Sequence, residues 1–225
     1  MPLQLRDLKN EARTLARTGQ HADALAAHEQ MLAKNPLDSE SRRRIADLLF
    51  QLGDRAGAVE VYRTVALHDV RSGHLLPALV SCKVLESLGQ NTDQIVALMA
   101  RNFSHGSPTL AKFAARQAPV DLDASIEPPA PGVASDVAKL VARARARALD
   151  LSAFVQYPEQ FLPVAFFSEL PPELFPAAVK MCRLVRAGDG DLVFREGDPG
   201  SAFYFVAAGE VRVVAGGQPV DGRPT

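Results

Sequence analysis

The sequence predicts an α+β multidomain chain: an N-terminal α-helical repeat solenoid, then a partial antiparallel β-roll with flanking helices. Three observations carry this. Helical periodicity runs to about residue 117 and repeats on itself at an offset of 34 residues. A stretch holding Pro119, Pro128, Pro129, Pro131 and Gly132 interrupts it over residues 118–134. Beyond Arg186, glycines and aspartates alternate with short apolar runs at hairpin spacing. The map that follows is repeats over 1–117, a linker over 118–134, a connecting helix within 135–160 and a β-rich region over 161–225.

In the first region Gly19 pairs with Gly53 at the repeat offset, Ala12 with Ala46, Leu15 with Leu49, Ala22 with Ala56 and Ala24 with Ala58. Leu25 and His28 correspond in the same way to Val59 and Tyr62. Each unit reads as two antiparallel helices. Gly19 and Gly53 turn the chain between them, and Ala24 and Ala58 are small where the helices approach closely. Asn35-Pro36 ends the first unit, and Asp38 or Ser39 can cap the next helix. With Gly19, Ala24, Gly53, Ala58 and Tyr62 as its motif positions, this segment resembles the tetratricopeptide repeat, which implies a groove that binds a protein partner. A third turn signal, Gly73 with Ala78 and Leu79, comes only 20 residues after Gly53. Either the helix over about 56–70 serves two neighbours, or residues 74–88 form an irregular capping hairpin. Further helices are predicted over 92–102 and from Ser107, a cap followed by Pro108, to about Gln117.

After the linker, Ser135 and Asp136 can start a helix running to about Leu149, with Val137, Leu140, Val141 and Ala144 on one face. Arg143, Arg145 and Arg147 do not form one stripe, because a two-residue step turns about 200° around a helix. They read as a solvated surface.

Aromatics then cluster at Phe161, Phe166, Phe167 and Phe175, and short strands are predicted at 192–194, 203–206 and 211–214. The succession FFSELPPELFPAAV, then LVFREGDPGSAFYFVAAGEVRVV, resembles the opening of a cyclic-nucleotide-binding domain of the catabolite-activator and protein-kinase regulatory-subunit type. Gly197, Asp198 and Gly200 supply its turn, Phe203, Tyr204, Phe205 and Val206 its four-residue apolar run, and Gly209 the following glycine; Phe194 departs from the small aliphatic residue usual there. The resemblance implies a regulatory sensor. After Val214, however, no residue corresponds to the family's phosphate-binding helix and arginine, and neither Arg212 nor Arg223 sits in such a setting. No cofactor is therefore expected in this chain, cyclic AMP or cyclic GMP being the ligand of a complete domain, and the open roll is expected to favour a dimer.

Lys plus Arg number 25 and Asp plus Glu 26, so no charge excess draws the chain to nucleic acid or acidic lipid. No apolar run approaches the roughly 20 residues of a spanning helix, and a cytoplasmic location is expected. Cys82 and Cys182 are isolated and read as buried thiols, and the five histidines (His21, His28, His68, His74 and His105) lack ligand spacing, so no metal site is expected. Hydrolase, kinase and dinucleotide motifs are missing, so the chain reads as a non-enzyme. The expected function is a signalling or scaffold protein of bacterial style whose repeats bind a partner and whose roll acts as a sensor. The alternative is a pure adaptor whose roll no longer binds nucleotide.

Overall fold

The computed structural model describes residues 3–111, 120–130, 132–188, 190–216 and 218–220. Six helices run in succession: α1 (Leu5–Arg17), α2 (His21–Lys34), α3 (Ser39–Gln51), α4 (Arg55–Arg71), α5 (Leu75–Ser87) and α6 (Asp93–Phe103). From α1 to α5 each packs on the next, and α6 closes on α4 and α5. The turns after α1 and α3 place Gly19 and Gly53 at φ of 80° and 92°, a region costly for any residue with a Cβ. Ala24 and Ala58 are fully buried between paired helices. Asp38 and Asp54 cap α3 and α4, their carboxylates accepting from the backbone N–H of Ser41 and Gly57.

The slipped third turn resolves through α4. With 17 residues it is the longest of these helices, and it packs against both α3 and α5, so one helix serves two neighbours.

The segment expected as an extended linker is partly pinned. Leu3–Gln4 (β1) pairs antiparallel with Ser125–Ile126 (β2), and the N–H groups of Leu5 and Arg6 donate to the carbonyls of Ala124 and Leu122. Ile126 enters a small core with Leu5, Leu8, Ala12, Ala27 and Met31. The helix predicted from Ser107 is not formed over 107–111, and the rest of that prediction lies outside the described residues. The local backbone has other partners there: Phe161 N–H donates to the Thr109 carbonyl, and Ala111 N–H to that of Phe161.

Two helices follow, α7 (Val137–Leu149) and α8 (Phe175–Met181). Phe161, Phe167, Phe175 and Val179 join the same hydrophobic core as Leu25, Leu49, Val65 and Leu85 of the repeats. Phe161 stacks on Phe103 with ring centroids 5.3 Å apart and lies over Gly73, where a Cβ would come within 2.8 Å of its ring. His105 N–H donates to the Leu170 carbonyl at 2.8 Å. The core therefore continues across the expected domain boundary.

The predicted strands at 192–194 and 203–206 are not formed, and of 211–214 only Val214 is in a strand, Val214–Ala215 (β3), paired with Gln218–Pro219 (β4). β-rich composition is not sufficient here. A strand needs ladder partners, and three or more strands with a shared apolar face are ordinarily required. These residues instead pack through rings: Phe203 and Phe205 against Phe166, Phe205 against Phe167, and Phe194 on Tyr204.

Candidate functional site

The most elaborate long-range polar constellation surrounds α7, which lies across α2 and α4 and reaches α3 between them. Its three arginines keep about two-fifths of their side-chain surface in solvent, as expected, but each also pairs with an acidic group of the repeats. Leu140, Ala144 and Ala148, four residues apart, form the buried stripe. On one flank Glu29 of α2, only 5% exposed, takes both Arg147 Nε at 2.7 Å and Arg143 Nε at 3.2 Å on Oε1. On the other, Arg145 donates through Nε and Nη2 to Glu60 of α4 at 3.0 and 2.5 Å, and lies 3.6 Å from the α4 cap Asp54. The 200° step explains both flanks. Arg143 and Arg147, one turn apart, face one acidic wall, and Arg145 faces the other.

The end of α7 is held by Arg42 of α3, which is 1% exposed. Its Nη1 donates to the carbonyls of Ala148 (2.7 Å) and Arg147 (3.2 Å), and its Nη2 to that of Pro36 (2.5 Å). The last carbonyls of a helix lack partners of their own and carry the negative end of its dipole, so a buried guanidinium fork answers both needs. The chain then passes Phe154, whose ring lies 5.5 Å from the Arg42 guanidinium and 3.9 Å from the His68 ring, and Tyr157, whose hydroxyl is 3.1 Å from His68 Nδ1. Burial first, and then the charge of Arg42, pushes His68 down to about 4, so this aromatic cradle holds a neutral imidazole.

Gly57 permits the close approach on the α4 side. A Cβ there would fall 2.1 Å from Asp54 Oδ2 and 2.9 Å from Arg145 Cδ. Gly57→Ala is expected to dislodge the Asp54 cap and lower stability by about 1–2 kcal/mol, measured by urea unfolding, even though alanine is the better helix former.

The sequence-identified positions divide by region. Gly19 and Gly53 turn the chain at the exposed ends of the repeat helices, Ala24, Ala58 and Tyr62 lie in the repeat interior, and the Tyr62 hydroxyl donates to Asp47, which also accepts from Arg186. Gly197 turns the chain at φ 89°, with the Asp198 carboxylate accepting from the N–H of Arg195 at 2.7 Å, and Gly209 turns it at φ 84°. Gly200 is exposed, Phe203, Tyr204 and Val206 are partly exposed to solvent, and Phe205 is half-buried. None of these approaches α7 closely enough to bond it. Glu29, Arg42, Asp54 and Glu60 were not signalled by sequence. The one available sign was a glutamate within the apolar run of α2, ALAAHEQML, facing an arginine pair spaced four apart elsewhere.

His28 packs as expected of a structural histidine. It is buried, with Nδ1 3.4 Å from Ser41 Oγ, and burial pushes it down to about 4. Asp69 of α4 is fully buried, with Oδ2 2.7 Å from Arg43 Nη1 and no partner on Oδ1. Burial pushes its carboxyl up to about 7, against the pull of Arg43. The folded chain thus keeps a proton that the unfolded chain releases near pH 4, so stability owed to this group falls as pH rises from about 4 to about 7. Asp69→Asn removes that dependence. Its stability relative to the parent is expected to improve between pH 5 and pH 8 in paired denaturant titrations, and a difference unchanged over that range would contradict the buried-acid assignment.

Among the described residues no group of three or more His, Cys, Asp or Glu side chains is placed to hold a metal ion, and no helix is long and apolar enough to cross a membrane. Residues 15–76 match the family model described as Tetratricopeptide repeat, a span from within α1 to the start of α5 that includes all five repeat-motif positions. No curated protein matches the chain, and no solved structure does. Helical repeats of this type act as protein-interaction scaffolds, stacking short units to present an extended surface.

Proposed function

We propose that the chain is a non-enzymatic adaptor in which the α2–α4 face of the repeats is the partner-binding surface and the region from residue 161 regulates access to it. The carrying observation is α7 itself. A helix sits on that face through matched charges on both flanks and a buried arginine at its end, the arrangement a helix-binding surface requires. The resemblance of residues 161–214 to the opening of a cyclic-nucleotide-binding domain supports a signalling context. The exposed Phe203, Tyr204 and Val206 favour a role for this region in contacts rather than in holding nucleotide.

Affinity capture from a native lysate tests the adaptor role. The full chain and an Arg143→Glu/Arg145→Glu/Arg147→Glu variant serve as baits, the variant being expected to enrich a partner more strongly because its own helix no longer occupies the face. Absence of any specifically enriched protein with either bait would refute the adaptor reading. Calorimetric titration of the full chain with cyclic AMP and cyclic GMP is expected to give no saturable micromolar binding, and such binding would make the region a working sensor.

A further inference from the structure

The chemistry of the α7 seat defines its natural ligand more closely than "a protein". Resting on the adaptor reading above, we propose that the α2–α4 face recognises a basic amphipathic helix of a partner protein, with α7 as the competing copy built into the chain. The recognised helix carries small or aliphatic side chains at three positions four residues apart, as Leu140, Ala144 and Ala148 do. Arginines stand at the third, fifth and seventh positions after the first of these, as in Arg143, Arg145 and Arg147, and the last-turn carbonyls are left open for Arg42.

Two features separate this from ordinary core packing. First, the seat combines a narrow apolar stripe with opposite charge on both flanks. Two of the three buried α7 residues are alanines, whereas the acidic groups sit on both flanks and Glu29 is nearly buried. The Arg143–Glu29 pair sets two guanidinium nitrogens on two carboxylate oxygens, at 3.2 and 3.3 Å, a geometry that gives orientation and sequence preference in addition to attraction. An acidic or neutral helix would leave Glu29 buried without a counter-charge, which is a strong penalty against the wrong ligand. Second, α7 lies between two anchors, and its release gives up the contacts of Arg42 and of Phe154 and Tyr157 beyond the seat itself. Ile126 in β2 and Phe161 in the main core anchor the chain on either side of residues 127–160. That length of chain can carry the helix off its seat while both anchors stay in place. A tethered competitor of this sort acts at an effective concentration in the millimolar range for short linkers, so an outside helix binds the parent chain weakly and binds a chain with a released α7 well.

The test uses a fluorescent peptide with the sequence of residues 136–150, titrated by anisotropy into three full-length proteins. The Arg143→Glu/Arg145→Glu/Arg147→Glu chain is expected to bind it saturably and at least tenfold more tightly than the parent. Adding Glu29→Lys and Glu60→Lys to that chain should abolish binding, and raising salt should weaken it. A peptide with the three arginines changed to glutamate should not bind. The milder Arg143→Gln/Arg145→Gln/Arg147→Gln chain, checked for helicity by circular dichroism, replaces the charge reversal if that variant does not fold. Equal binding of both peptides, equal affinity for parent and released chains, or no binding by a folded released chain would each overturn the proposal. In the last case, partner capture that persists in the lysate experiment would leave the adaptor role standing with a different docking surface. A stable parent dimer formed by exchange of α7 between copies would make a second copy the occupant and would equally overturn it.

Discussion

Arg42→Ala is expected to cost about 3–5 kcal/mol in denaturant unfolding, because it empties a fully buried side-chain site and strips hydrogen bonds from three carbonyls that are buried or partly buried. The Pro36 carbonyl ends the first repeat, and those of Arg147 and Ala148 end α7, so one side chain joins the α2–α3 connection to a helix more than a hundred residues away. Arg42→Lys should recover little, since an ammonium has the charge but not the planar fork that reaches both sides. Loss of α7 helicity should accompany the destabilisation. A change within about 0.5 kcal/mol, the range ordinary for surface substitutions, would mean that Arg42 does not hold these carbonyls in solution.

Phe167→Ala should be comparably severe, at about 3–5 kcal/mol, the usual cost of emptying a buried phenylalanine site. Phe167 is fully buried and contacts the rings of Phe175 and Phe205 within the core shared with the repeats. The informative point is where the loss appears. Because Phe167 lies beyond the proline-rich segment yet in the repeat core, the helical signal of α1–α6 should melt earlier. The matched control Phe194→Ala, at a ring 55% exposed, should change the midpoint by less than about 0.5 kcal/mol. An early melt confined to residues after 160, with the repeats unaffected, would show two separate cores.

What could be read from sequence was local. Gly19 and Gly53 announced their turns because only glycine accepts that backbone cheaply, and Asp38 announced a cap because a short carboxylate reaches an N–H three residues on. The bounds of α7 followed from Asp136 and the apolar spacing after it. What could not be read depends on which distant residues meet. Nothing near Arg143, Arg145 and Arg147 reveals that Glu29, Asp54 and Glu60 will flank them, and β2 exists only because the N-terminus arrives beside it. Ser107-Pro108 has every local mark of a helix start, but Thr109 and Ala111 bond to Phe161 instead, so tertiary pairing overrode the signal. The same holds in reverse for 192–194 and 203–206. Their composition favours strands, yet no ladder partner meets them among the described residues, and β propensity without pairing does not make a sheet.

The helix α7 exists because the repeats hold it. Thirteen residues are at the margin for an isolated helix in water, so protection there must come from packing. Amide hydrogen exchange across residues 137–149 of the full chain measures this directly. Slow exchange at Val141–Leu149, approaching that of α2 and α4 and lost in the Glu29→Lys/Glu60→Lys chain, is the expected result. Exchange at the rate of an unstructured peptide, with α2 and α4 still protected, would contradict it.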